Sequence, residues 1–170
     1  MLLQALTTVV ALATPQPGHS MRVEAIPVSS QSSRCQFRGD DMALRIYRGR
    51  TKVLSEDYCS AYGKGSARLI RDKRGRTFVL LSYSEGHGTH ATADYLRVYE
   101  LINGALYERA ALLQREPIGP FRDLLYAYSV KTLPAGGLRI AGVSRTVGQR
   151  DRSLDLETGK RQLQTVLTIE

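Results

Sequence analysis

Apolar and polar positions alternate along much of this chain, and short clusters of Gly, Asn, Asp and Pro repeatedly break the alternation. Leu44 and Ile46 alternate with Arg45 and Tyr47, and Leu154 and Leu156 alternate with Asp155 and Glu157. Leu163, Thr165, Leu167 and Ile169 share one face of the last segment. A period of two puts successive side chains on opposite faces, which is the pattern of a half-buried strand. Phe78-Val79-Leu80-Leu81 is instead continuously apolar and reads as a strand buried on both faces. Tyr95 to Leu101, rich in aromatic and β-branched residues, reads as its neighbour.

The breaks fall where hairpins would turn. Met42–Arg48 and Thr51–Ser55 flank Gly49, and Ala67–Arg71 and Arg76–Ser84 flank Asp72-Lys73-Arg74-Gly75. Tyr95–Ile102 and Ala105–Ala110 flank Asn103-Gly104, the strongest short hairpin signal in the chain. Leu124–Leu133 and Leu138–Val143 flank Pro134-Ala135-Gly136-Gly137, and Arg152–Leu156 and Arg161–Ile169 flank Glu157-Thr158-Gly159-Lys160. Val23 to Val28, interrupted by Pro27, fits an edge strand. Only Ala105–Arg115 has helical promise, with Pro117 and Pro120 to end it. The pattern predicts an all-β fold of antiparallel hairpins with at most one short helix near 105–115. Two architectures fit it, a two-sheet sandwich and a small propeller-like assembly. The second rests on a faint echo between Leu80–Ser84 and Leu124–Ser129.

At 170 residues, 42% hydrophobic and 24% charged, the chain fits one globular domain with a real core. The reading divides it into a signal-like leader and linker over 1–20 and a single β domain over 21–170. Met1 to Ala13 is apolar, uncharged and ends in Ala11-Leu12-Ala13, and Pro15 and Pro17 follow. No Lys or Arg precedes it, and a start at Met21 is the cytosolic alternative. The segment is too short to span a bilayer. The two cysteines, Cys35 and Cys59, lie in no metal-binding pattern. An even count behind an export-like leader predicts one Cys35–Cys59 disulfide in a periplasmic or secreted protein.

Charge narrows the partner. The formal net charge is +8, from 24 Lys+Arg against 16 Asp+Glu. Most of the cations are Arg, whose rigid fork pairs with carboxylate or phosphate, so an anionic partner is expected. Lys73, Arg74 and Arg76 cluster at one hairpin tip and are candidate anion-docking residues. A solvated tip that protects a sheet edge is the plainer reading of the same run.

The candidate chemistry lies in Glu85-Gly86-His87-Gly88-Thr89-His90, between the two central strands. His87, Thr89 and His90 are candidate binding residues there. Gly86–His90 resembles the segment around the catalytic histidine of subtilisin-like serine proteases, in which His87 would be the base. The resemblance covers five residues. Ala91-Thr92-Ala93 departs from it, and neither the orienting acid segment nor a Gly-Thr-Ser nucleophile segment is present. A triad acts only as a unit, so the fragment does not make a protease. Gly86-x-Gly88-x-x-Ala91 is a loose dinucleotide pattern without the βαβ context it needs. His87 and His90, with Glu85 or Asp94, lack the fixed geometry of a strong zinc site. Neither a cofactor nor a metal is expected.

These readings favour an exported, non-catalytic envelope protein that binds an anionic partner through basic and Gly/His/Thr-rich loops. The partner would be an acidic protein or an anionic envelope polymer. The specific form considered is an inhibitor or immunity-type protein against a cell-wall-degrading enzyme, by analogy of architecture alone. The alternative is a small hydrolase using His87 or His90 with a loop carboxylate. Nucleic acid is not expected, since no recognition-helix or RNP-type pattern occurs.

Overall fold

The computed structural model describes residues 20–29, 34–35, 39–86, 92–119, 122–150, 153–155 and 162–170. The leader-like segment, His87, Thr89 and His90 lie outside the described residues. Strands follow in the order β1 (Met21–Pro27), β2 (Asp40–Arg48), β3 (Thr51–Ser60), β4 (Gly65–Arg71), β5 (Thr77–Glu85) and β6 (Ala93–Ile102). Then come β7 (Ala105–Gly119), β8 (Arg122–Thr132), β9 (Leu138–Arg150), β10 (Ser153–Asp155) and β11 (Gln162–Ile169). A single 3-10 turn, Ala61–Gly63, is the one helical element among the described residues. The fold is all-β, with two antiparallel sheets packed together as a sandwich.

The smaller sheet runs β1-β2-β3, and the larger runs β10-β9-β8-β7-β6-β5-β4 with β11 also on β9. β1 is an edge strand that ends at Pro27, where a missing N–H costs no ladder bond. The central hairpins turn where their sequences say. Asn103 and Gly104 both take positive φ, 51° and 82°, as the tight Asn-Gly turn requires.

β5 is buried on both faces, and its alternate side chains serve two separate cores. Val79, Leu81 and Tyr83 join Leu44 and Ile46 of the small sheet, with Met21, Leu54, Tyr58, Tyr95 and Leu101 packed around them. Phe78 and Leu80 face the other way and meet Leu96, Val98, Leu138, Ile140 and Ile169. The large sheet therefore curls, so that β9 and β11 cover the face of β5 and β6 that the small sheet leaves open.

The curl has a cause in β7. The sequence allows at most one short helix near 105–115, and none forms there: these residues pair with β6, as the hairpin at Asn103-Gly104 implies. Burying Ala110 and Leu112 against the second core outweighs the modest helix propensity of this segment. The register shifts twice, leaving Arg109 and Gln114 as extra residues in β7. Such bulges bend a strand and increase its twist. β7 then pairs with β8 only over Arg115–Gly119, and β8 leaves to join β9 along its full length.

A second departure lies near the C-terminus. β10 and β11 do not form a hairpin with each other. β10 pairs with β9 at Gly148–Arg150 and β11 pairs with β9 at Leu138–Ser144. The expected turn at 157–160 lies outside the described residues.

Candidate functional site

Antiparallel pairing sends every other strand end to the same place. The turns after β2, β4, β6 and β8 and the end of β11 gather at one end of the molecule. Strand-terminal and turn residues put Arg48, Arg50, Lys52, Arg71, Lys73 and Arg74 there, all exposed. Lys131 and Arg139 face each other directly across β8 and β9 at this end, both exposed. Like charges opposite one another are unfavourable without a counter-charge.

Two carboxylates of this end, Asp72 and Glu100, are already engaged. The Asp72 side chain is fully buried and accepts from the N–H groups of Arg74 and Arg76 at 2.9 Å each and from Arg76 Nε at 2.8 Å. The Gly137 N–H also donates to it, at 2.7 Å, which joins the 72–76 turn to the 133–137 turn. Burial alone would raise the Asp72 carboxyl. The bonds from Gly137 and Arg76, with the Arg76 charge, more than offset this and hold it below the ordinary carboxylate value. Glu100, also buried, takes Arg109 at 2.7 Å and Arg76 at 3.9 Å. Glu170 follows Ile169 in the layer on the far side of β5.

A cleft of about 530 Å³ opens at this end, lined by Met21, Arg48, Val53, Arg71, Gly75, Thr77, Leu101 and the Asn103-Gly104 turn. Its position follows from the hairpins. Arg48 is the last residue of β2 and Arg71 the last of β4. Val53 is the extra residue of a bulge in β3, opposite the step from Ile46 to Tyr47. Neither Arg48 nor Arg71 forms an ion pair with a described carboxylate. The sequence reading missed both; the signal was an Arg directly before a turn at two neighbouring hairpins.

The predicted tip residues divide. Lys73 is exposed at the turn, with Arg74 beside it, its stem against Gly136. Arg76 points inward instead, held by Asp72 and Glu100 with its guanidinium 5.5 Å from the Phe78 ring centre. It is a structural residue of the turn.

The strand ends that flank residues 87–91 stand at the opposite end. Glu85 and Ala93 mark the far end of β5 and β6 from the 72–76 turn. Nine residues of β5 make that separation roughly 27 Å. These strand ends are braced. Ser84 Oγ donates to Asp94 at 2.6 Å, Arg115 Nε donates to Asp94 at 2.9 Å, and Arg115 reaches Asp123 at 3.5 Å. Arg115 Nη2 also donates to the Thr92 carbonyl at 3.3 Å. Glu85 accepts from Tyr83 Oη at 2.9 Å and pairs with Arg97 at 3.6 Å. Both carboxylates that flank residues 87–91 are thus bonded elsewhere.

Cys35 and Cys59 form a disulfide near the same end, with Cα atoms 5.5 Å apart. It fixes the 34–35 segment to β3, and Arg34 adds an ion pair to Asp57 at 2.7 Å. The bond fits an oxidising compartment. No group of three or more potential metal-ligating side chains occurs among the described residues. No helix among them is long and apolar enough to cross a membrane. No family model, curated protein or solved structure matches the chain.

Proposed function

We propose that the chain is an exported, non-catalytic binding protein that docks an anionic partner through its basic end. The observation that carries this reading is the pair Arg48 and Arg71. They line a ligand-sized cleft without a carboxylate partner among the described residues, while Asp72 and Glu100 of the same end are buried and bonded to other arginines. Unpaired arginines around a concavity focus positive potential and speed association with anions. The disulfide supports export, and rigid hairpins presenting turns at one end suit recognition by contact. An anionic envelope polymer, or the acidic cleft of a cell-wall-degrading enzyme, is the partner class this charge pattern fits.

The hydrolase reading is the weaker one. Glu85 and Asp94, the carboxylates available to a loop histidine, are committed to Arg97 and Arg115. Immobilised lipoteichoic acid and lipopolysaccharide, probed across a salt series, test the binding reading. Retention should fall as salt rises, and Arg48→Glu with Arg71→Glu should remove it while His87→Ala with His90→Ala leaves it intact. Retention that survives the arginine reversals and is lost with the histidines would move the site to the other end.

A further inference from the structure

The cleft at the basic end is not lined by charge alone. Its floor is apolar: Met21 starts β1, Val53 bulges from β3, and Leu101 is the penultimate residue of β6. Met21 and Leu101 pack against the core of Leu44, Ile46, Val79, Leu81 and Tyr83. The cleft is therefore the open mouth of that core, between the small sheet and β4–β6. Arg48, Arg71, Thr77 and Asn103 supply the polar part of its lining. Val53 stays 39% exposed at this mouth, a large aliphatic side chain that shares the lining with two arginines that have no ion pair among the described residues.

A site for a bare anion needs the arginines and has no use for the apolar floor. A site for a neutral apolar molecule has no use for the arginines. We infer that this cleft takes a single-chain anionic amphiphile. Its alkyl chain lies on Met21, Val53 and Leu101, and its phosphate, sulfate or carboxylate head meets Arg48 and Arg71. The volume of about 530 Å³ falls within the range of small-molecule pockets, and the mouth of a two-layered β structure is a common place for one. The inference rests on the reading of this end as an anion-binding surface and names the class of ligand. A guanidinium fork pairs with the head by two parallel hydrogen bonds, while each methylene removed from water adds to affinity.

The test is isothermal titration of the disulfide-bonded protein with inorganic phosphate and with butyl, octyl and dodecyl phosphate below their micelle-forming concentrations. Dodecyl maltoside supplies the uncharged chain. Affinity should rise from butyl to octyl phosphate by roughly three- to fourfold per methylene. Arg48→Ala and Arg71→Ala should each weaken octyl phosphate binding about tenfold, and Arg145→Ala, at an exposed arginine of β9, should not change it. Equal affinity for inorganic phosphate and every alkyl phosphate would overturn the amphiphile while leaving the anion-binding end in place. Failure of every anion to bind would remove both readings. Dodecyl maltoside binding as tightly as dodecyl phosphate would make the charge irrelevant and overturn the proposal. Anionic vesicles separate the two sources of such a head group. Binding to vesicles of phosphatidylglycerol without binding of monomeric alkyl phosphate would place the contact on a lipid surface and overturn the cleft.

Discussion

Two glycines show how local geometry becomes stability. Gly137 has φ of +93°, and a Cβ built on it would lie 2.1 Å from the Ile169 carbonyl oxygen. Backbone cannot yield as a flexible side chain can. Gly137→Ala should therefore cost more than about 2 kcal/mol in urea unfolding, from strain and overpacking together. Gly104 has φ of +82° and open space around it, so Gly104→Ala should cost only about 1 kcal/mol. Asp72 acts on the same corner through charge. Asp72→Asn should cost about 2 kcal/mol at neutral pH, by loss of bonds to a charged acceptor. Its folded carboxyl sits below its ordinary value, so its contribution is complete above about pH 4 and fades as pH falls through the lowered folded value. The stability gap between wild type and Asp72→Asn should shrink in that acidic window, measured by denaturant unfolding at each pH.

At the scale of the element, β5, β6 and the hairpin turns were legible because their cause is local. Phe78–Leu81 carries no polar position, and Asn103-Gly104 dictates its own turn. β7 was legible in part, since the Asn103-Gly104 turn placed a strand at Ala105–Ala110 while Ala105–Arg115 also allowed a short helix. Ala, Leu, Glu and Arg favour helix in isolation, and only the pairing with β6 and the burial of Ala110 and Leu112 reverse that preference. β10 and β11 misled for a related reason, since adjacency in sequence predicts a hairpin and both strands chose β9. The basic end was half legible. Net charge announced it, but only the register shows that Arg48 and Arg71 meet at one cleft and that Arg76 turns inward. The disulfide is a testable brace of the β3 terminus. Cys35→Ser with Cys59→Ser should cost about 3 kcal/mol, seen as a lower urea midpoint, with the all-β circular dichroism signal retained. Arg115→Ala should free the base of the 84–94 connection. Amides at Thr92 and Ala93 should then exchange hydrogen faster while those of Val79 and Leu80 keep their protection.

For the molecule as a whole, the two ends are specialised by strand direction. One collects turns, arginines without an ion pair among the described residues, and the mouth of a core; the other collects the disulfide and the braced strand ends that flank 87–91. Changes at one end should leave the other undisturbed, and double variants pairing Arg48→Glu with the cysteine substitutions should show additive changes in stability. The placement of β5 has a larger consequence. A ribbon shared by two apolar clusters ties their fates together, because neither can melt without stripping one side of the same backbone. Heating should then give a single calorimetric peak whose van't Hoff and calorimetric enthalpies agree, with no halfway species in which one cluster persists alone.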